Sequence, residues 1–156
     1  MSPRANARPI AALVVVTVLA AGLLVASPAP AATPADVRYA NQVHERVNDV
    51  RAGQDRVRLQ KHRCLQRFAA KQAQAMARRR QLFHQDLGRV LRACDLRQVG
   101  ENVAVGPLTP RQQVQQWMDS PPHQANILRR SYRVTGVAAR RAGGTWWVAQ
   151  VFGRRA

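Results

Sequence analysis

Apolar residues at three- and four-residue steps predict two long helices. The first spans residues 34–52, where Thr33-Pro34-Ala35-Asp36 combines an N-cap, a proline at the first helical position and an acidic residue three positions after the cap. Gly53 supplies its C-terminal stop. The second helix covers roughly residues 61–80, and its apolar stripe consists of Leu65, Phe68, Ala69, Gln72, Ala73, Met76 and Ala77. Each helix therefore buries one face and exposes a charged one.

Shorter elements are predicted for the rest of the chain. Asp86 caps a short helix that ends before Cys94, and another helix begins at Thr109-Pro110 and is broken by Ser120-Pro121-Pro122. The glycine-bounded apolar segment 100–106 suits a strand or an extended loop. The remaining predicted elements are a helical turn at residues 123–128 and a hairpin of strands 132–139 and 145–152. Helices first and strands last indicate an α+β fold.

The first 31 residues have the pattern of a secretory signal peptide. Arg4 and Arg8 precede an uncharged apolar run of 17 residues, and Ala29 and Ala31 suit signal peptidase. We predict cleavage near Ala31 and a secreted, extracellular domain over residues 32–156, which is expected to be a monomer. The apolar run just reaches the lower limit for a membrane-spanning helix, so an uncleaved anchor is the alternative.

The charge of the predicted mature chain is strongly positive. Two of the 25 basic residues and none of the eight acidic ones precede Ala32, so residues 32–156 carry 23 minus 8, or +15. Such a charge favours binding to polyanions, and an exported protein meets anionic lipid and wall polymers rather than nucleic acid. Arg78-Arg79-Arg80 is the one tight basic cluster, and a high-GC coding bias would give the same excess of arginine. No nucleic-acid partner is expected, because no recognition motif accompanies the charge.

Cys64 and Cys94 are the only cysteines of the chain. In an oxidising, exported context they predict one structural disulfide. Closing a loop of about 30 residues would stabilise the fold by roughly 3 to 4 kcal/mol.

Candidate chemistry is concentrated in three residues: His84, Glu101 and His123. A carboxylate inside an apolar segment must find hydrogen-bond donors, a cation or a metal, because an unpaired charge there is costly. Glu101 is thus either a structural acceptor or, with the two imidazoles, part of an acid–base or divalent metal site. His44 and His62 are expected on the solvated surface, and Trp117, Trp146 and Trp147 in the core.

Five short motifs in one order resemble the bacterial branch of the CAP superfamily, the group of SCP-like extracellular domains. The motifs are Asn48-x-x-Arg51-x-Gly53, Phe83-His84, Gly100-Glu101-Asn102-Val103-Ala104-x-Gly106, Trp117-Met118-x-Ser120-Pro121-x-His123-x-x-Asn126-Ile127-Leu128 and Gln150-Val151-Phe152. The resemblance implies a three-layer α-β-α sandwich around a mostly antiparallel sheet. It also implies a cleft that holds two His and two Glu in the wider family, in some members with a divalent metal.

Only part of that cleft set is present here. His84 matches the first histidine, Glu101 matches the glutamate of the Gly-Glu-Asn motif, and His123 occupies the histidine place of the bacterial branch. Ser120 and Trp147 stand where the wider family has its second glutamate and last histidine. If a metal such as zinc binds, His84 and His123 are its expected ligands, with Glu101 beside them.

Two functions follow as expectations. The first is a secreted, non-enzymatic module that binds lipid or an anionic wall polymer at the cell envelope. The alternative is a secreted, peptidase-like hydrolase in which Glu101 is the general base and the histidines act as acid or as metal ligands.

Overall fold

A computed structural model describes residues 31–156. The predicted signal peptide, residues 1–31, lies outside the described residues except for Ala31. The elements in chain order are α1 (Pro34–Ala52), β1 (Gln60–Lys61), α2 (Arg63–Arg79), α3 (Leu87–Ala93), β2 (Leu96–Gly106), α4 (Pro110–Met118), α5 (Pro121–Leu128), β3 (Val134–Ala142) and β4 (Thr145–Arg155). The predicted α+β class is confirmed.

Helix α1 begins where its capping sequence predicts. The Thr33 hydroxyl accepts a hydrogen bond from the Asp36 amide, and the Asp36 carboxylate accepts one from the Thr33 amide. The same carboxylate accepts from the Arg141 amide at 3.1 Å and the Arg140 guanidinium at 3.3 Å, which ties α1 to the end of β3. Burial raises the pKa of Asp36, but these hydrogen bonds and the Arg140 charge outweigh burial and lower it below its ordinary value.

The four strands form one mixed sheet in the order β1-β3-β4-β2. The β2–β4 and β3–β4 pairs are antiparallel, and the two-residue strand β1 pairs in parallel with β3. Gly143 and Gly144 both have positive φ angles and make the tight turn of the β3–β4 hairpin. The predicted sandwich with a mostly antiparallel sheet is confirmed.

Helices cover both faces of the sheet. One buried cluster joins α1, α4 and α5 to the sheet, and it contains Trp117. A second joins α2 and α3 to the opposite face, and it contains Trp147. Trp146 is only partly buried and stacks on Tyr39 with ring centroids 4.2 Å apart. Trp117 and Trp147 therefore lie in the core as predicted, whereas Trp146 packs against its edge.

Strand β2 and helix α5 begin earlier than the sequence pattern suggests. Strand β2 starts at Leu96, before the segment bounded by glycines, and its register with β4 shifts between Leu96 and Gln98. Helix α5 contains Pro121 and Pro122 in its first turn, where a missing amide hydrogen removes no helical bond. The two prolines therefore form the first turn of α5, and the boundary between α4 and α5 lies just before them.

The disulfide predicted between Cys64 and Cys94 is present. The two Cα atoms are 5.7 Å apart, and the bridge joins the first turn of α2 to the residue after α3. It therefore fixes the short helix α3 against the long one.

Arg51 is a fully buried cation at the end of α1. Its guanidinium donates to the carbonyl oxygens of Val57, Ile127, Arg129 and Tyr132, at 2.5 to 3.3 Å. Burial is the main cause that lowers its pKa to about 10, with Arg133 and Arg56 adding repulsion. Four carbonyl dipoles thus replace water around the charge. In turn, the guanidinium group holds the loop between α5 and β3 in place.

The prediction that His44 lies on the solvated surface is wrong, and for His62 it is only partly right. His44 is 8% exposed, and its Nε2 atom lies 3.1 Å from the Leu59 carbonyl oxygen, because the segment before β1 packs over that face of α1. His62 is half-buried at the start of α2, and its Nδ1 atom has no hydrogen-bond partner among residues 31–156. Burial is the main cause that lowers its pKa, with Arg155 and Arg67 adding to it.

Candidate functional site

Glu101 is a buried carboxylate in the edge strand β2. It lies in β2 opposite Val151 of β4, and its side chain is 0% exposed. The carboxylate faces His84 Nδ1 at 2.8 Å and accepts from the Gln85 amide at 3.3 Å and from the Gln85 side chain. These partners supply the hydrogen bonds that a carboxylate buried in an apolar segment needs.

His84 is the exposed member of the His84–Glu101 pair. It lies in the loop between α2 and α3, and its side chain is 57% exposed. The Gln72 side chain donates to the carbonyl oxygen of Phe83, which anchors the loop on α2 just before the histidine. Because Nδ1 faces Glu101, Nε2 is the ring nitrogen that faces outward. A carboxylate that orients an imidazole in this way suits proton transfer or ligand binding at Nε2.

Side-chain amides connect the start of α5 to β2. Asn102 donates to the backbone carbonyl of His123 at 3.1 Å. Asn126 donates to the carbonyl of Glu101 at 3.1 Å and to the Asn102 side chain at 2.9 Å. This network fixes the backbone on both sides of Glu101, so the strand and the helix position the site together.

His123 lies in the first turn of α5 and is half-buried. Its Nδ1 atom is 2.8 Å from the hydroxyl oxygen of Ser120, which explains why Ser120 starts the helix without capping it through its side chain. Burial is the main cause that lowers the pKa of His123, and the nearby His84 adds to it. His123 does not line the cleft that His84 and Glu101 share.

The arrangement offers a metal ion few ligands. Within residues 31–156, no three His, Cys, Asp or Glu side chains are grouped closely enough to hold one. His84 directs Nδ1 at Glu101 and His123 directs Nδ1 at Ser120, so each can offer only Nε2. Catalytic zinc sites use three protein ligands. Zinc binding by His84 and His123 therefore stays a prediction, and the geometry gives no step that passes through a metal.

A cleft of about 590 Å³ opens beside the His84–Glu101 pair. Arg129 and Tyr132 form part of its wall, with the guanidinium carbon 5.5 Å from the centre of the tyrosine ring. Burial raises the pKa of Tyr132. Gly100 lines the cleft, and a Cβ atom there would meet Asn126 Oδ1 at 2.8 Å and the Tyr132 hydroxyl group still closer. The glycine therefore permits the close approach of both side chains.

Three residues of the site have no role that the sequence predicts. Gln85 supplies two donors to Glu101, and Arg129 and Tyr132 line the cleft. In the sequence, only the position of Gln85 next to His84 indicates that it contacts Glu101, because two adjacent loop residues can reach the same carboxylate. No local pattern marks Arg129 or Tyr132, since tertiary packing brings the loop after α5 to β2.

The comparisons with known proteins agree with this architecture. The sequence profile of CAP, the cysteine-rich secretory protein family, matches residues 44–152. This chain belongs to the CAP family. The matched residues include all three candidate cleft residues, so the resemblance noted from the short motifs is confirmed. No curated protein matches the chain.

Solved structures of CAP proteins share the fold. An extracellular protein containing an SCP domain from Bacillus anthracis is 20% identical with a TM-score of 0.70, over 81% of this chain and 45% of that chain. A cysteine-rich secretory protein from Staphylococcus aureus is 17% identical with a TM-score of 0.69, over 80% and 40%. An outer surface protein from Borrelia burgdorferi is 17% identical with a TM-score of 0.67, over 74% and 92%.

These likenesses show the fold. The chain spans less than half the length of the Bacillus and Staphylococcus proteins, at 45% and 40%. Both of those proteins are described as extracellular or secretory. Among the helices of residues 31–156, none is long and apolar enough to cross a membrane.

Proposed function

We propose that this protein is a secreted CAP-domain module that binds anionic polymers or lipids of the cell envelope without catalysing a reaction. The observation that carries the proposal is the surplus of exposed arginine on a domain with few carboxylates, half of which pair with basic side chains of the same domain. Residues 32–156 carry 23 basic and eight acidic side chains. Such a surface attracts polyanions, and secretion would bring it to envelope components first.

Internal contacts of the acidic residues leave most of the positive charge uncompensated. Asp36 pairs with Arg140, and Glu101 faces His84. Glu45 and Asp49 both contact Arg58. Half of the eight carboxylates are thereby committed to neighbours on the same domain. An external polyanion is the natural partner for the remaining arginines.

The cleft chemistry supports binding better than turnover. Its lining residues within the described chain include no Ser, Thr or Cys that could act as a nucleophile beside His84. Glu101 is buried and already accepts hydrogen bonds from Gln85, so it orients the imidazole more readily than it could activate a water molecule.

Cosedimentation tests the proposal. Protein expressed from the full-length sequence is mixed with purified bacterial walls and, separately, with vesicles that contain anionic lipid, at about 0.02 M and about 0.5 M salt. We expect strong retention on at least one of these surfaces at low salt and release at high salt. Retention that is equal on neutral vesicles, or absent on every surface at low salt, would refute the proposed function.

The second candidate is a secreted hydrolase, and the 2.8 Å contact between His84 and Glu101 favours it. An imidazole oriented by a buried carboxylate is a standard source of general base catalysis. The test is hydrolysis of envelope peptides by the wild type and by the variants Glu101→Gln and His84→Ala. Turnover that both substitutions abolish would establish this candidate, and turnover that survives both would remove it.

A further inference from the structure

The end of the sheet away from the hairpin carries a row of arginines. All four strands meet this end, because β1, β2 and β3 start there and β4 finishes there. Arg58 precedes β1, Arg133 precedes β3, Arg97 lies at the start of β2, and Arg154 and Arg155 close β4. The five exposed side chains line one open groove of about 740 Å³, here called the arginine groove.

The strand pairing sets the spacing of this row. Arg155 is opposite Leu96, Arg154 is opposite Gln98, and the Arg133 amide donates to the Gly153 carbonyl oxygen at 2.9 Å. Neighbouring strands lie about 5 Å apart, so the strand ends that carry these arginines extend over roughly 15 Å across the four strands. A row of that length matches several charges of one linear polymer better than a single small anion.

A register irregularity places Arg97 in the row. The β2–β4 register shifts between Leu96 and Gln98, which leaves Arg97 as an extra residue between two paired positions. Leu96 is buried in the core, whereas Arg97 and Gln98 are both exposed. A bulge changes the direction of the side chain it carries, and here that side chain lines the arginine groove.

The charge of the groove is mostly uncompensated. Arg58 pairs with Glu45 and Asp49. Within residues 31–156, no carboxylate forms an ion pair with Arg97, Arg154 or Arg155, and Arg133 donates only to backbone carbonyls. Guanidinium groups bind phosphate with two parallel hydrogen bonds, so unpaired arginines in a groove suit phosphate oxygens.

The other lining residues narrow the class of ligand. Gln60 and Ser131 add hydrogen-bonding groups that suit hydroxyls, and none of the aromatic side chains in residues 31–156 lines the groove to stack on a nucleobase. Of the large apolar side chains that residues 31–156 expose, Val57 alone lines it, which is too little to insert into a bilayer. A phosphodiester polymer of small polyols fits these features better than nucleic acid or a lipid surface.

We propose that the arginine groove is a binding site for a polyol phosphate polymer of the bacterial wall. The proposal rests on the proposed function, since it assigns the envelope ligand to one chemical class and one surface. Among residues 31–156, the groove and the His84–Glu101 cleft have different lining residues, and they adjoin where the Ser131 hydroxyl donates to the Gln98 side chain. The proposal assigns binding to the groove and not to the cleft.

The experiment compares two triple variants with the same change in charge. The groove variant is Arg97→Gln, Arg154→Gln and Arg155→Gln. The control is Arg67→Gln, Arg92→Gln and Arg111→Gln, three exposed arginines that lie outside the groove. Binding of poly(glycerol phosphate) is measured by titration calorimetry on protein expressed from each full-length sequence, and thermal unfolding checks that all variants fold.

The groove variant is expected to lose roughly tenfold or more in affinity, whereas the control loses less than about threefold. Replacement of the same three groove arginines by lysine should restore part of the affinity, because charge is retained without the paired hydrogen bonds. Equal losses in the groove variant and the control would overturn the proposal. Tighter binding of single-stranded DNA at equal phosphate concentration, or of phosphatidylglycerol vesicles only, would also overturn it.

The outcomes separate this inference from the proposed function. If the groove variant still binds purified walls as the wild type does, the groove inference fails and the envelope module stands. If the wild type binds neither walls nor vesicles at low salt, both fail together.

Discussion

The Nδ1 atom of His84 and the Oε2 atom of Glu101 lie 2.8 Å apart, yet the histidine side chain is 57% exposed and the glutamate side chain is 0% exposed. The carboxylate needs its partners because its side chain is buried. The exposed imidazole of His84 also lines the cleft. Glu101 thus anchors the pair in the protein interior, and the exposed imidazole of His84 is the candidate group for binding a ligand.

The first prediction concerns the energy of this pair. His84→Ala removes one hydrogen-bond partner of a buried carboxylate and is expected to lower the free energy of unfolding by about 1 kcal/mol. A double-mutant cycle with Glu101→Gln isolates the coupling, and urea denaturation measures it. Purely additive losses would show that the 2.8 Å contact contributes nothing to stability.

The second prediction concerns the buried guanidinium of Arg51. Arg51→Met leaves four carbonyl oxygens without their donor and is expected to cost about 3 kcal/mol of unfolding free energy. The matched control is Arg46→Met on the same helix, where an exposed pair with Asp49 is lost. That change is expected to cost less than about 0.5 kcal/mol. Similar losses from the two variants would contradict the assigned role.

The third prediction concerns pH. Burial lowers the pKa of His62 and of His123 below the ordinary value of 6.5. The unfolded chain therefore takes up protons at a higher pH than the folded one, so stability is full above about pH 6.5 and falls as the pH drops below it. Urea midpoints at several pH values between about 7.5 and about 5 measure the loss.

The matched test of that pH dependence is the double variant His62→Asn and His123→Asn. It should show a smaller loss of stability over the same pH range, because two groups that resist protonation in the folded state are gone. If the wild type and the double variant lose stability in parallel, other groups cause the pH dependence.

The fourth prediction concerns the bridge between Cys64 and Cys94. The variant Cys64→Ser, Cys94→Ser is expected to lose roughly 3 to 4 kcal/mol of unfolding free energy, because the unfolded chain regains the freedom of a loop of about 30 residues. Equilibrium denaturation under oxidising conditions measures the difference. A change below about 1 kcal/mol would indicate that packing of α3 against β2 holds that helix without the bridge.

Local signals allowed the helices to be predicted well. The capping boxes at Thr33 and Thr109 define where α1 and α4 begin, and each depends on contacts within four residues. The apolar stripe of α2 matches its buried face, which includes Leu65, Gln72 and Met76. The hairpin of β3 and β4 follows from the Gly143-Gly144 turn.

Features that depend on tertiary contacts were not predictable in the same way. The sequence predicts His44 on the surface, and no local pattern marks Arg51 as buried. Both are buried because other segments of the chain supply carbonyl oxygens to them, Leu59 to His44 and Ile127 to Arg51. The arginine groove draws Arg58, Arg97 and Arg154 from three separate strand ends, so no local charge pattern marks it. The one cluster that the sequence shows, at residues 78–80, lies elsewhere.

The most direct test of the central claim is the salt dependence of wall binding. The association constant of the wild-type protein for purified walls is measured at several salt concentrations between about 0.02 M and about 0.5 M. The account predicts that its logarithm falls linearly with the logarithm of salt concentration, as counterions are released from a polyanion by several arginines. A constant that does not change with salt would contradict it.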